Sequence, residues 1–120
     1  MPVQKHSLRD QLSQTNEINI SVIGRKSGRM ISNPIWFVLD GDKLDLLPVK
    51  GSDTQWYQNV LKNPSIKLEA GGAAAESKAV PVTDSLQVAN VVEKFRKKYG
   101  PGDVKKYYSK LDVAVVAQLR

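Results

Sequence analysis

The chain has 120 residues, no cysteine, one histidine and a formal net charge of +6. That length fits a single domain spanning 1–120, since domains usually run to ~100–200 residues, and a composition 41% hydrophobic and 25% charged is that of an ordinary globular protein. A chain without cysteine has no disulfide framework, no thiolate nucleophile and no cysteine zinc site. No apolar run approaches the ~20 residues that a membrane-spanning helix needs, and residues 1–6 lack the apolar stretch of a secretory signal. A cytoplasmic, metal-free protein with anionic partners is the expectation.

In chain order, residues 4–14 read as a short amphipathic helix with Leu8 and Leu12 at i,i+4. Residues 17–23 alternate strictly, the period of a half-buried strand. The basic, glycine-containing stretch 25–28 reads as a hairpin turn into a strand over 30–39. Pro34 within that strand belongs at a sheet edge or a bulge, and Trp36 must face the opposite side from Ile35 and Phe37. Asp40-Gly41-Asp42 turns the chain into a further strand over 43–49.

Ser52 followed by Gln55 has the spacing of a capping box, which predicts a helix from there to just before Pro64. Strands over 66–70 and 76–83 follow, joined through Gly71-Gly72. Asp84 with Gln87 caps a helix whose apolar face carries Val88, Val91, Val92, Phe95 and Tyr99, and Gly100-Pro101 ends it. A short helical segment over 104–109 leads to a last strand over 111–119. Five or six hairpin-joined strands with inserted helices define an antiparallel α+β domain. Closure of the sheet removes exposed edges, so the expected fold is a small antiparallel split β-barrel with inserted helices.

Lys26, Ser27, Gly28 and Arg29 put two cations, a hydroxyl and a glycine into four residues, the mix that phosphate binding requires. A solvated hairpin turn uses the same residue types. Lys50, Gly51 and Ser52 are a second candidate anion site, equally explained by a capped helix start. Trp56 shares a helix face with Val60, as a core tryptophan would, or it walls a planar ring. Together these features point to a phosphorylated aromatic ligand. His6 has no partner at ligand spacing, and no nucleophile triad, paired carboxylate site or P-loop is present, so no catalytic side chain and no metal ligand is assigned. Such a chain is a binder, or an enzyme whose cofactor does the chemistry. The lysine-rich segment 94–110 is either a solvated helix face or a docking surface for a polyanion.

Gly24-Arg25-Lys26-Ser27-Gly28, Asn33-Pro34-Ile35-Trp36-Phe37-Val38-Leu39-Asp40-Gly41, Lys50-Gly51 and Trp56-Tyr57-x-Asn59-Val60-x-x-Asn63-Pro64 occur in the order seen in the deazaflavin-dependent nitroreductases. The chain resembles that family of flavin/deazaflavin oxidoreductases over residues 21–70, and more loosely from Asp84 onward. The resemblance implies a split β-barrel that uses reduced coenzyme F420, with FMN as the alternative cofactor. It implies that Lys26, Ser27 and Gly28 meet the phosphate and that Asn33 and Pro34 line the approach. Leu47, Pro48, Lys50, Gly51 and Ser52 would lie beside the deazaflavin, with Trp56 packed near it. Ile31 stands where the family commonly has arginine, and Arg29 is the candidate replacement.

The implied reaction is reduction of a small, flat, hydrophobic acceptor such as a quinone, nitro compound or enone. Trp36 and Tyr99 are the candidate substrate walls, with no ionisable group expected there. A homodimer without nucleic-acid or membrane partners completes the expectation. The alternatives are an FMN- or tetrapyrrole-binding protein without enzymatic activity and a basic nucleic-acid-binding barrel.

Overall fold

The structure is a computed structural model that describes residues 8–119, so His6 lies outside the described residues. Leu8–Leu12 form α1, whose two leucines are buried. The strands are β1 (Ile18–Ile23), β2 (Met30–Ile35), β3 (Phe37–Asp40), β4 (Lys43–Leu46), β5 (Ser65–Ala70), β6 (Ala73–Val82) and β7 (Ala114–Gln118). The helices after α1 are α2 (Gln55–Lys62), α3 (Ser85–Tyr99) and α4 (Pro101–Tyr107).

All seven strands join one antiparallel sheet in the order β2-β1-β5-β6-β7-β4-β3. The two outermost strands are consecutive in sequence, separated by Trp36 alone. A sheet whose opposite edges are one residue apart must curl round on itself, and the result is the expected antiparallel α+β half-barrel. The predicted strand over 30–39 is therefore two strands. Ile35 pairs with Ile18 of β1, whereas Phe37 pairs with Leu46 of β4. Pro34 sits on edge strand β2, where its missing N–H removes no ladder bond from a further neighbour. The long β6 makes the second crossing. It pairs with β5 as far as Lys78 and with β7 from Ala79 onward.

Alternation decides what fills the barrel. Ile18, Ile20 and Val22 of β1 point inward with Ile35, Phe37, Leu44, Leu46, Leu68 and Val115. A second apolar layer lies between the sheet and the α3–α4 pair, built on Leu47, Val88, Val91, Val92, Phe95, Val104 and Tyr108. Trp36 packs on that side, opposite to Ile35 and Phe37. The helix face predicted for α3 is buried through Phe95, with Tyr99 partly exposed at its end. Asp84 caps it, its carboxylate accepting the Gln87 N–H at 3.0 Å. Gly100, at φ 96°, separates α3 from α4, and Pro101 opens the second helix.

Several boundaries differ from expectation: β4 ends at Leu46 rather than 49, β6 starts at Ala73 rather than 76, α4 spans Pro101–Tyr107 rather than 104–109, and two further shifts have a visible cause. The capping-box reading at Ser52 does not hold, because Gly51–Asp53 form a 3-10 turn and α2 starts three residues later with Thr54 as its N-cap. Ser52 is drawn away from capping by Asp112. The last strand begins at Ala114 rather than 111, since the residues before it run alongside the 3-10 turn.

Candidate functional site

The basic turn is closed at its base. Gly24 donates its N–H to the Arg29 carbonyl at 2.8 Å, and Gly28 donates to the Gly24 carbonyl at 2.9 Å. A Cβ at Gly24 would come within 2.9 Å of both Ser27 Oγ and Ile31 Cδ1, so a side chain there would displace those two side-chain ends. Gly28 takes φ 73°, the left-handed conformation that ends the turn. Ser27 Oγ accepts the Arg29 N–H at 3.1 Å.

Helix α2 holds this turn from the side. Asn59 is buried, and its Oδ1 accepts both the Arg25 peptide N–H at 3.1 Å and the Arg25 Nη1 at 2.7 Å. Gln55 Oε1 accepts the other guanidinium nitrogen at 2.9 Å. Both acceptors are neutral, so the guanidinium charge is not cancelled. Among the described residues nothing accepts from the peptide N–H groups of Lys26 and Ser27, and no carboxylate pairs with Lys26. Two open amides beside two uncompensated cations form a concave donor set of the kind that takes a phosphate.

This turn opens on a cavity of about 330 Å³. Lys26, Ser27, Asn33 and Trp56 line it together with Arg25 and Ile31, while Arg29 does not. Trp56 is 5% exposed and belongs to the barrel core, yet it contributes to the cavity wall.

The Lys50-Gly51-Ser52 loop is arranged differently. The Ser52 N–H and hydroxyl both donate to the Asp112 carboxylate, at 2.9 and 2.6 Å. Lys110 bridges Asp53 at 3.2 Å and Asp112 at 3.8 Å. Gly51 has φ 56°, and a side chain there would collide with Asp112. The chain's own carboxylate thus occupies the donors that sequence reading offered to an anion, and it is held below the usual carboxylate range chiefly by the Ser52 hydroxyl. The Leu47 and Pro48 side chains are buried within the protein. Val49, which follows them, is exposed.

A second cavity, about 280 Å³, lies further along β2. Asn33 lines the first cavity and Pro34 the second, so the two follow one another on one edge strand. Trp36, Tyr107, Tyr108, Val49 and Glu17 contribute its walls. Glu17 corrects the expectation of no ionisable group at this surface. Tyr99 does not line the cavity but stacks behind Trp36, with centroids 4.2 Å apart and planes 10° from parallel. Tyr107 meets the same indole edge-on at 5.6 Å. Burial pushes the Tyr99 phenol up to about 12 and raises that of Tyr108 as well, so both remain protonated at neutral pH.

Sequence reading missed Arg25, Gln55, Asn59, Tyr107, Tyr108 and Glu17. Asn59 stood in plain view in the Trp56-Tyr57-x-Asn59 motif, but a buried asparagine needs a partner, and nothing local names it. Among the described residues there is no cluster of metal-ligating side chains, and no helix is long and apolar enough to cross a membrane.

The curled seven-stranded antiparallel sheet is a split-barrel fold shared with F420-dependent reductases of known structure. An F420-H2-dependent reductase has a similar fold, with 19% identity and a TM-score of 0.68 over 86% of this chain and 94% of that one. A further F420 reductase matches at 19% identity and TM-score 0.65, covering 98% of this chain and 96% of that one. HutZ, the heme storage protein from Vibrio cholerae, shares the fold at 14% identity and TM-score 0.69, over 95% and 91% of the two chains. No curated protein matches the sequence. The sequence matches the F420H(2)-dependent quinone reductases over residues 4–118, and the chain belongs to that family. Its coenzyme is accordingly F420H2, and the phosphate-suited donors beside Trp56 fit such a group.

Proposed function

We propose that this protein reduces a small, flat, hydrophobic acceptor of the quinone, nitro or enone class at the expense of F420H2. The coenzyme phosphate sits on the turn formed by Arg25, Lys26 and Ser27, and the acceptor enters the cavity walled by Trp36, Tyr107 and Tyr108. The observation that carries this reading is the open, cationic donor set beside Trp56, fixed in place by Asn59 and Gln55. Bound F420H2 supplies a hydride equivalent when present.

The protein's own contribution is binding and orientation. Lys26 and the two open amides meet negative charge, and the rigid α2 contact keeps them converged. Asn33 borders the coenzyme cavity and Pro34 the acceptor cavity. Tyr108 lines the acceptor cavity as a protonated phenol, able to donate a hydrogen bond to an acceptor oxygen. Ser52 acts one step removed, since Asp112 takes its donors, while the exposed Lys50 of the same loop stays a candidate partner for negative charge on the coenzyme. Edge strands β2 and β3 would be covered in a homodimer, and one structurally similar protein is a domain-swapped dimer.

Fluorescence titration with F420 and with FMN, followed by oxidation of F420H2 against a panel of quinones, nitro compounds and enones, tests the reading. Tighter binding of F420 than FMN and turnover of at least one acceptor class are expected. Preference for FMN overturns the coenzyme site, and tight F420 binding with no turnover on any acceptor leaves a carrier instead of a reductase.

A further inference from the structure

The Tyr99 hydroxyl lies where two walls of the aromatic cavity are joined. It accepts the Phe37 N–H at 3.0 Å and lies 2.8 Å from both the Phe37 and the Asn16 carbonyl oxygens. A phenol has one proton and can serve only one carbonyl at a time. Lys98 already donates to the Phe37 oxygen at 2.7 Å, so that carbonyl is satisfied without the phenol and the Tyr99 proton is available to Asn16. One hydroxyl then ties the residue before Glu17 to the residue after Trp36. The ring that carries it lies flat against the Trp36 indole. Glu17 and Trp36 both line the cavity, whereas Tyr99 does not.

We propose that Tyr99 is a positioning residue that sets the width of the acceptor cavity, acting through Trp36 and the Asn16-Glu17 segment without touching the acceptor. The proposal rests on the assignment of that cavity to the acceptor. The stack fixes the plane of the indole, and the hydroxyl fixes the separation of the indole wall from the Glu17 wall. Trp36 is the single residue between two strands that pair at opposite edges of the sheet, so it has no ladder neighbour of its own to hold it. The basic turn is braced independently by Asn59 and Gln55. Loss of the Tyr99 hydroxyl therefore disturbs acceptor recognition and leaves coenzyme binding alone.

Tyr99→Phe keeps the stack and removes the hydroxyl, and Tyr99→Leu removes both. In the full chain, F420 affinity should stay within about two-fold of the parent, while the acceptor KM rises about five- to ten-fold in Tyr99→Phe and further in Tyr99→Leu. Discrimination between one-ring and three-ring quinones should flatten in both variants. A purely structural role would lower thermal stability and kcat while KM and ring-size preference held, and that result overturns the proposal. A second readout needs no coenzyme: the indole N–H resonance of Trp36, identified by its loss in Trp36→Phe. It should shift and broaden in both Tyr99 variants while the Trp56 resonance stays put. An unmoved Trp36 resonance overturns the clamp. If the parent chain binds no F420, the functional reading fails while the indole measurement still decides the clamp.

Discussion

Asn59 Oδ1 accepts two hydrogen bonds from Arg25, one from the peptide N–H at 3.1 Å and one from the guanidinium at 2.7 Å. One buried amide oxygen therefore fixes both the backbone of the basic turn and the direction of its first cation. Asn59→Ala should destabilise the fold by about 1–3 kcal/mol, because the partly buried Arg25 N–H and guanidinium lose their shared acceptor. It should also weaken F420 binding at least about ten-fold as the donor set loosens. Asn59→Asp separates the two effects, since it keeps an acceptor for both donors but neutralises Arg25. Its thermal midpoint should match or exceed the parent's while F420 affinity still falls. Unchanged affinity in both variants would remove this turn from the coenzyme site.

Lys26 is exposed and pairs with no carboxylate among the described residues. Lys26→Ala should leave thermal stability unchanged and weaken F420 binding by roughly 1.5–3 kcal/mol, the value of a hydrogen bond to a charged group. The loss should shrink as salt is raised. Titration at two ionic strengths measures both quantities.

Asp112 predicts an acid limb in the stability profile. The Ser52 hydroxyl and N–H hold its carboxyl below the ordinary value of 3.8, with Lys110 adding to the effect. The unfolded chain thus takes up a proton more readily than the folded one, and this contribution is present above pH 3.8 and lost as pH falls through the depressed folded value. Asp112→Asn should flatten the fall in thermal midpoint between about pH 4 and pH 2. A parallel acid limb in the variant would show that the Ser52 contact contributes nothing.

Lys98 acts in the opposite pH range. The residue as a whole is exposed, but its ammonium lies 3.5 Å over the Phe37 ring, and burial lowers its pKa from 10.5 to about 8. The unfolded chain binds the extra proton between those values, so stability should rise as pH goes from about 8 to 10.5. Lys98→Met should abolish that rise. Thermal midpoints measured across pH 7–10 in both proteins, at about 0.15 M salt, decide the matter.

Asp45 is a buried carboxylate, 2% exposed, and Lys94 reaches it from α3 at 3.0 Å while also pairing with Asp40 at 2.6 Å. Lys94→Met leaves that carboxylate without its cation and should cost about 1–3 kcal/mol. The double variant Lys94→Met/Asp45→Asn should recover part of the loss, read as a shift in the denaturant midpoint.

Short-range patterns were legible without the fold. Alternation in β1, the Asp84 cap, the apolar face of α3, the Gly71-Gly72 turn and the basic turn with its motif neighbours are each set within a few residues. Local sterics and periodicity govern them, so the sequence alone determined an antiparallel α+β barrel, while the coenzyme followed from the resemblance of its motifs to a known family and not from any of these patterns. What only the tertiary structure decided depends on partners far apart in the chain. Asp112 reaches Ser52 across 60 residues and turns a supposed anion site into an internal carboxylate lock. Asn59 reaches Arg25 across 34 residues, and Tyr99 reaches Phe37 across 62. The Trp36 corner belongs to the same class: Pro34 marks an edge or a bulge, but no local rule places a break of the 30–39 stretch at Trp36. It breaks because a sheet that closes on itself gives Ile35 and Phe37 different neighbours, and that choice is made by the register of β1 and β4.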